Sequence, residues 1–516
     1  MTSFDYIVVG GGSAGATLAA RLSEDPAASV LLLEAGPDYA AAADVPADIL
    51  DSRNLAGLAH DWGYTASPAH SRVIPYRRGK VMGGTSAINA AAALRGREAD
   101  FAEWERLGNP TWRWEKVEPY FQRLENDPED EATLHGNNGP IPIARYATDE
   151  LIPIQSAFYR ACRSAGFRDC RDHNRPEYGG VGPWPMNRRD ETRISTALSH
   201  LASARDRSNL TIRSDCLVDH LLFDGLRVVG VELVGETVPK RVYGERVILC
   251  AGAIGSPAIL LRSGIGPKQR VEILGAQLLM DLPGVGARLW DHAAVPIRLV
   301  PKAGECEIGR DPRFQVTARL KASGSSIDDD LMFVLVSHLD LTAMPALQSE
   351  ANAPVVAVLL VALMVPFGCG HLALSNLDPT VQPEINLNFC ADPNDNERLM
   401  DGMRRAWDLV RSDDMRGAYE RVAGIDDETV KSDESLTTYI KSNVGTFCHA
   451  LGTAPMGPDD DRFAVTDQYC RVRGIENLWI VDASVIPAVP RVVPNLTVIM
   501  MAERLAEWLS EAGAAI

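Results

Sequence analysis

The chain is poor in several things that would have placed it quickly. Its nine cysteines are an odd number and include no C-x-x-C pair, so no disulfide framework or zinc ribbon is readable and reduced, mostly buried thiols are expected. Basic charge is in deficit: 51 Lys and Arg stand against 69 Asp and Glu, a net −18. That balance argues against nucleic acid or an anionic membrane as partner, because both select for basic surfaces. Long hydrophobic runs are missing. The longest, 355–365, has 11 residues, against the roughly 20 that a membrane span requires, and it reads as a buried strand of the core. The N-terminal "MTSFDYIVVGGG" has no basic segment before its apolar run and does not read as a signal peptide. The expected compartment is the cytoplasm. No internal repeat or low-complexity tract appears, and 516 residues are enough for two or more domains at roughly 150 residues each.

What is present begins at residue 5 with "DYIVVGGGSAGATLAARLSEDPAASVLLLEAG". An apolar strand over 6–9 runs into glycines, a helix is predicted over 13–22, and a second strand over 29–33 ends on Glu34. Gly10-x-Gly12-x-x-Gly15 therefore follows a strand and opens a helix, with an acid roughly twenty residues on, the context of a dinucleotide fingerprint. Gly10 permits the tight turn. Gly12 lets backbone N–H groups of the loop, through Ser13 and Ala14, approach a pyrophosphate at the helix N-terminus. Glu34 is placed to accept hydrogen bonds from an adenosine ribose. This motif does not choose between FAD and NAD. Further helices are predicted over 111–127, 151–165, 394–412, 434–443 and 497–511. Strands are predicted over 209–218, 226–235 and 245–250, with a polar, Gly-rich loop over 129–140. A second group at 293–301, 314–321, 331–337, 355–365 and 371–375 suggests a second sheet.

Four more stretches choose the cofactor. They are "RRGKVMGGTSAINAAAALRG" (77–96), "GAIGSPAILLRSGIG" (252–266), "DLPGVGARLWDH" (281–292) and "CHALGTAPMG" (448–457), the last followed by "ENLWIVDASVIPAVP" (476–490). In order and spacing, together with the N-terminal loop, they resemble the glucose–methanol–choline (GMC) family of flavin-dependent oxidoreductases. The resemblance implies an α/β chain: a Rossmann-type FAD-binding domain from 1–145, 205–300 and 445–516, and an α+β substrate-binding domain on an antiparallel sheet from 146–204 and 301–444. It implies FAD contacts at Gly84, Asn89, Ala91, Val218, Asp482, Ala483, Asn495, Leu496 and Thr497, besides Gly10, Gly12, Ser13, Ala14, Gly15 and Glu34. Some family members link FAD covalently through a histidine just before the Asn of the second motif. Here that position is Ile88, so non-covalent FAD is expected.

The residues carry physical sense beside the name. "GGTSAIN" is small enough for backbone to lie against a flat ring, and Asn89 adds an amide. Ser256–Pro257 with Ser263–Gly264 reads as a capped helix ending at a glycine, architecture rather than chemistry. Asp482 closes a strand where an open α/β sheet meets its ligand, or else caps a helix. Trp62 and Tyr64 lie where the family covers its cofactor, with ordinary aromatic packing the alternative.

Alcohol oxidation needs a proton acceptor, and a neutral imidazole suits it. Of ten histidines, His449 matches the family's catalytic one. His220, His292, His338 and His371 are expected to be satisfied core or surface histidines, with His292 near the site only because its motif is. The family usually sets a second His or Asn before its final helix, and counting back from Thr497 puts Val493 there. Asn495 matches the second amide of that pattern, expected as a helix cap and flavin neighbour, with a catalytic partnership through a shifted loop as the alternative. The final helix would aim its N-terminal partial charge at the reduced flavin. The resemblance thus implies oxidation of a CH–OH group, with His449 as proton acceptor and O2 or another electron acceptor reoxidising the cofactor. A neutral, largely apolar alcohol is preferred, because no carboxylate or aromatic cluster suggests a cation cage. Alternatives are a non-redox flavoprotein of hydroxynitrile lyase or decarboxylase type, and a flavin-binding protein with degraded activity. Neither nucleic acid, a membrane span nor a metal is expected.

Overall fold

The computed structural model describes residues 3–69, 72–128, 134–235 and 239–512. Two large sheets organise them. In the first, the strands run in the order Leu210–Arg213, Val30–Leu33, Ser3–Val9, Arg241–Leu249, Arg227–Leu233 and Val218–Asp224, and Leu478–Ile480 also pairs with Arg241–Leu249. The first four of these and Leu478–Ile480 are parallel. The most central of them read as apolar runs, Val30–Leu33 being wholly buried and Val247–Leu249 likewise. Register aligns Val9 with Leu33 and Leu249, and Leu249 with Ile480. Gly10, Glu34, Cys250 and Val481 therefore leave the sheet at one edge, the edge at which open α/β sheets bind ligands. The Ser13–Leu22 helix packs there against the C-terminal helix Asn495–Ala512.

Every strand pairing in the second sheet is antiparallel. Its order is Tyr419–Ala423, Ala293–Pro301, Val355–Leu363, Leu331–Asp340, Val316–Leu320 and Gly180–Pro183, with Gly445–Thr446 added to Ala293–Pro301. Strand alternation splits its side chains. Leu331, Phe333, Leu335, Leu359, Val361 and Leu363 join the main core, over which the helices Pro153–Ser164 and Pro393–Arg411 pack. Ala294, Met332, Val334 and Ala362 face the opposite way, into a separate apolar cluster.

Several expectations are corrected. The stretch 209–218 is not one strand: Leu210–Arg213 ends before Asp215, at φ +53°, and a new strand, Val218–Asp224, forms a hairpin with Arg227–Leu233. The stretch at 371–375 does not join the second sheet; His371–Ala373 pairs with Glu384–Asn386. The helix predicted over 111–127 is Trp114–Leu124, following a turn at Pro110–Trp112. Residues 129–133 of the predicted 129–140 loop lie outside the described residues, and Ser256 sits inside the helix Gly252–Arg262 rather than capping it. By their hydrogen bonds, Ala293–Pro301 and Gly445–Thr446 belong to the second sheet, although the division drawn from sequence gave 293–300 and 445–446 to the FAD-binding domain.

Candidate active site

The cradle is built from glycine contacts. Gly10 has φ +102°, and a Cβ there would come within 2.5 Å of the Cys250 carbonyl. At Gly15 a Cβ would meet the Gly10 carbonyl at 1.8 Å, so strand and helix close on each other only without side chains. Gly84, at φ +52°, lies against the loop itself: its Cβ would be 2.7 Å from the Gly12 Cα, and the Gly83 N–H donates to the Gly11 carbonyl at 2.7 Å. The first two sequence motifs thus form one surface. Gly12 starts the Ser13–Leu22 helix with no side-chain cap and no acid in the first turn. Its N-terminal amides are left for an anion.

Beside them, both Glu34 oxygens accept backbone N–H groups, from Gly11 at 2.7 Å and Gly36 at 2.9 Å. Burial pushes the Glu34 carboxyl up to about 7, against those hydrogen bonds and nearby Lys80. The Cys216 N–H donates to the Glu34 carbonyl, which brings Val218 to this edge. This uncapped, side-chain-free cradle with a buried acid at the strand end fits a dinucleotide.

The other predicted contacts converge on the same edge. Asp482 accepts from the Gly252 N–H at 2.8 Å and the Ser256 hydroxyl at 2.6 Å and caps the turn Ala483–Val485, so its carboxylate is spent on architecture. The Ala483 carbonyl receives the Gly452 N–H, tying this turn to the histidine loop. Asn89 Oδ1 accepts the Ala91 N–H at 2.8 Å, holding buried Ala91 at φ +56°. Leu496 is fully buried, and buried Thr497 leaves Oγ1 unpartnered at the head of the final helix. Asn495 does not cap that helix with its side-chain oxygen; Oδ1 accepts from Ser13 Oγ at 2.8 Å, pinning the helix to the dinucleotide loop. Trp62 and Tyr64 stack with ring centroids 5.5 Å apart, and Lys80 Nζ lies 4.9 Å from the Trp62 centroid.

His449 has a partner that sequence reasoning set aside. Its Nδ1 lies 2.8 Å from Nδ1 of His292, which is fully buried and whose Nε2 is 3.1 Å from the Pro490 carbonyl. His292 is satisfied, as expected, but by the catalytic candidate itself. The signal was its place in a fifth family motif, two residues before the strand face that carries Ala294. Asp291 organises both histidines: its Oδ1 accepts the His292 N–H at 2.7 Å and the His449 N–H at 2.8 Å, and its Oδ2 accepts from Tyr76 Oη at 2.7 Å and from Thr446 Oγ1. Arg78 donates to the Cys448 carbonyl and to Tyr76 Oη. Burial, with His292 and Arg78 adding to it, holds the His449 imidazole well below its ordinary value; burial lowers His292 to about 4. Both rings are neutral at pH 7.

Val493 lines an apolar wall. It is buried with Ala91, Leu94, Trp184, Met186, Met332, Val334 and Met364, and half-buried Phe314, Leu360 and Phe447 pack on this cluster. Phe447 meets His449 edge-on with centroids 5.7 Å apart. Leu360, on a strand paired on both sides, is only partly buried.

A dinucleotide edge joined through one histidine loop to an antiparallel sheet with an apolar face defines a flavoprotein oxidoreductase of two functional halves. The chain belongs to the GMC oxidoreductase family, whose N-terminal and C-terminal models match residues 4–294 and 366–502. It is an FAD-dependent alcohol oxidoreductase. It is 36% identical to an uncharacterized GMC-type oxidoreductase of Rhodococcus erythropolis, covering 97% of each chain. It is 34% identical to the 5-(hydroxymethyl)furfural oxidase of Methylovorus sp., covering 98% of each. Among solved structures, pyridoxine 4-oxidase from Mesorbium loti superposes with a TM-score of 0.89 at 30% identity, covering 99% of each chain. No helix among the described residues is long and apolar enough to cross a membrane.

Proposed function

We propose that the protein oxidises a neutral, largely apolar alcohol to its aldehyde or ketone, with His449 Nε2 taking the hydroxyl proton. One observation carries the reading: His449 spends Nδ1 on His292, and its Nε2 has no hydrogen-bond partner among the described residues. Its proton affinity is low enough to keep the ring a free base at neutral pH. FAD, when bound, supplies the two-electron hydride acceptor. The loop around Gly10, Gly12, Ser13, Ala14 and Gly15 would hold its pyrophosphate. Glu34 would take the ribose, and the segment Gly84–Ala91 with Ala483 and the head of the final helix would lie against the ring system. Asn495 belongs to this holding set through Ser13.

The second sheet supplies the substrate half. Its cluster around Val493, Met332, Val334 and Met364 gathers apolar side chains into one wall, which favours an apolar substituent on the substrate side that meets it. The named substrates of both characterised relatives above are ring compounds bearing a carbinol, in keeping with this wall. Ile88, buried among apolar side chains, offers no atom for a covalent flavin link; denaturation is expected to release intact FAD.

The test is anaerobic titration of the yellow protein with a panel of alcohols. Bleaching by apolar primary or secondary alcohols, and its loss by about 10²–10⁴ in rate on His449→Ala with FAD retained, is the expected result. Reduction that survives His449→Ala nearly intact would overturn the assignment. The rate at which colour returns in air distinguishes O2 from another acceptor.

A further inference from the structure

We infer that His292 is a positioning residue that fixes His449 in the one tautomer able to accept the substrate proton at Nε2. The inference rests on the reading of His449 as proton acceptor. It follows from counting protons along a short chain of groups. The Pro490 carbonyl can only accept, so the 3.1 Å contact requires the proton of His292 on Nε2. A neutral His292 then presents a lone pair at Nδ1. The 2.8 Å contact to His449 Nδ1 is consequently a hydrogen bond donated by His449. With its proton on Nδ1, neutral His449 carries its lone pair on Nε2. The rings stand almost perpendicular, at 83°, with centroids 5.1 Å apart, and His292 is fully buried, so His292 cannot flip without breaking both bonds, nor His449 without breaking the one they share.

The same chain says where the accepted proton stays. His449 as imidazolium still donates from Nδ1 to His292, but the far end is an amide carbonyl, which is no base. The proton therefore rests on the histidine pair and does not run on into the protein.

The groups facing the pair leave it neutral. Arg78 brings positive charge, and the Asp291 carboxylate is saturated by two backbone N–H groups, Tyr76 and Thr446. Cys448 is the remaining titratable neighbour, and burial pushes its thiol up. The Met364 carbonyl also faces His292.

The experiment uses the FAD-loaded protein and two readouts. Histidine-selective 15N spectra at pH 7.5 are expected to show His449 protonated at Nδ1 with a bare Nε2, and His292 protonated at Nε2. The opposite tautomer of either ring would overturn the inference whatever the enzyme's activity, whereas a wild type that no alcohol reduces would sink the functional reading alone. Second, kcat/KM is followed against pH. His292→Leu is expected to lower it at least about tenfold with FAD content unchanged. His292→Asn restores an acceptor at the δ position and should recover part of the rate. His292→Asp places a carboxylate there and should move the acid limb upward by one pH unit or more. An acid limb unmoved by Asp, or wild-type rates with Leu, would overturn it. Where Leu does not fold, Asn and Asp still decide.

Discussion

At position 493 a polar group would enter a cluster of apolar side chains whose one indole N–H donor is Trp184 Nε1. Val493 is buried among Trp184, Met186, Met332, Val334 and Met364, and an unpaired amide there costs about 1–3 kcal/mol. Val493→Asn is therefore expected to lower the thermal midpoint of the FAD-loaded protein, and to raise KM for apolar alcohols more than it changes kcat. A rise in kcat at unchanged stability would mean that position 493 is a vacant partner site after all. The residue scale is also where sequence reading reached furthest and stopped. Gly10, Gly12, Gly15 and Glu34 stood out because they fall in one contiguous strand–loop–helix–strand stretch, although Gly10 packs on Cys250 and Gly12 on Gly84. His292 did not, because its partner lies 157 residues away and an isolated histidine just ahead of an apolar strand looks the same with or without one.

Between elements, two short motifs behave as a single surface. The loop opening the Ser13–Leu22 helix and the turn Gly84–Ala87 touch backbone to backbone. Gly84→Ala would set a Cβ 2.7 Å from the Gly12 Cα, where no flexible side chain can yield, and in a φ of +52° that L residues disfavour. The variant is expected to purify with FAD content reduced several-fold, read from the ratio of flavin to protein absorbance. Full FAD occupancy would mean that the two motifs do not depend on each other. Elements with strong local signals, such as Ser13–Leu22 and Ala293–Pro301, lie where periodicity puts them. Misreadings fell where pairing decides: at 209–218, where a turn at Asp215 separates two strands, and at His371–Ala373, whose partner is Glu384–Asn386. Strand partners depend on register and tertiary contact, which periodicity does not carry.

Across the whole molecule, buried neutral histidines set the acid limit. Burial lowers His292 to about 4 and brings His173 and His449 well below the ordinary range. A group with a depressed histidine pKa contributes stability that is present above the unfolded value near 6.5 and lost as pH falls towards the folded value. For His292 this amounts to roughly 3 kcal/mol, at about 1.4 kcal/mol per unit. His135 acts in the opposite direction: burial opposes it, but hydrogen bonds to Asp172 and Glu125 win and raise it to about 9. Its contribution is complete below 6.5 and fades as pH rises through 9. The urea midpoint is expected to peak near pH 6.5–7.5, to drop steeply by pH 5 and to decline gently above pH 8. A midpoint unchanged between pH 7 and 5 would mean that these histidines already titrate normally in the fold.

By itself the sequence determined the dinucleotide fingerprint and the flavin family and singled out His449 as the candidate proton acceptor, because these reside in contiguous motifs. Only the tertiary structure decided that Asn495 clasps Ser13, that His449 leans on His292, and that the wall beside them is apolar. Those are contacts between segments far apart in the chain, 157 residues for His292 and His449 and 482 for Ser13 and Asn495, and no local pattern of side chains encodes which of many buried partners a residue will meet.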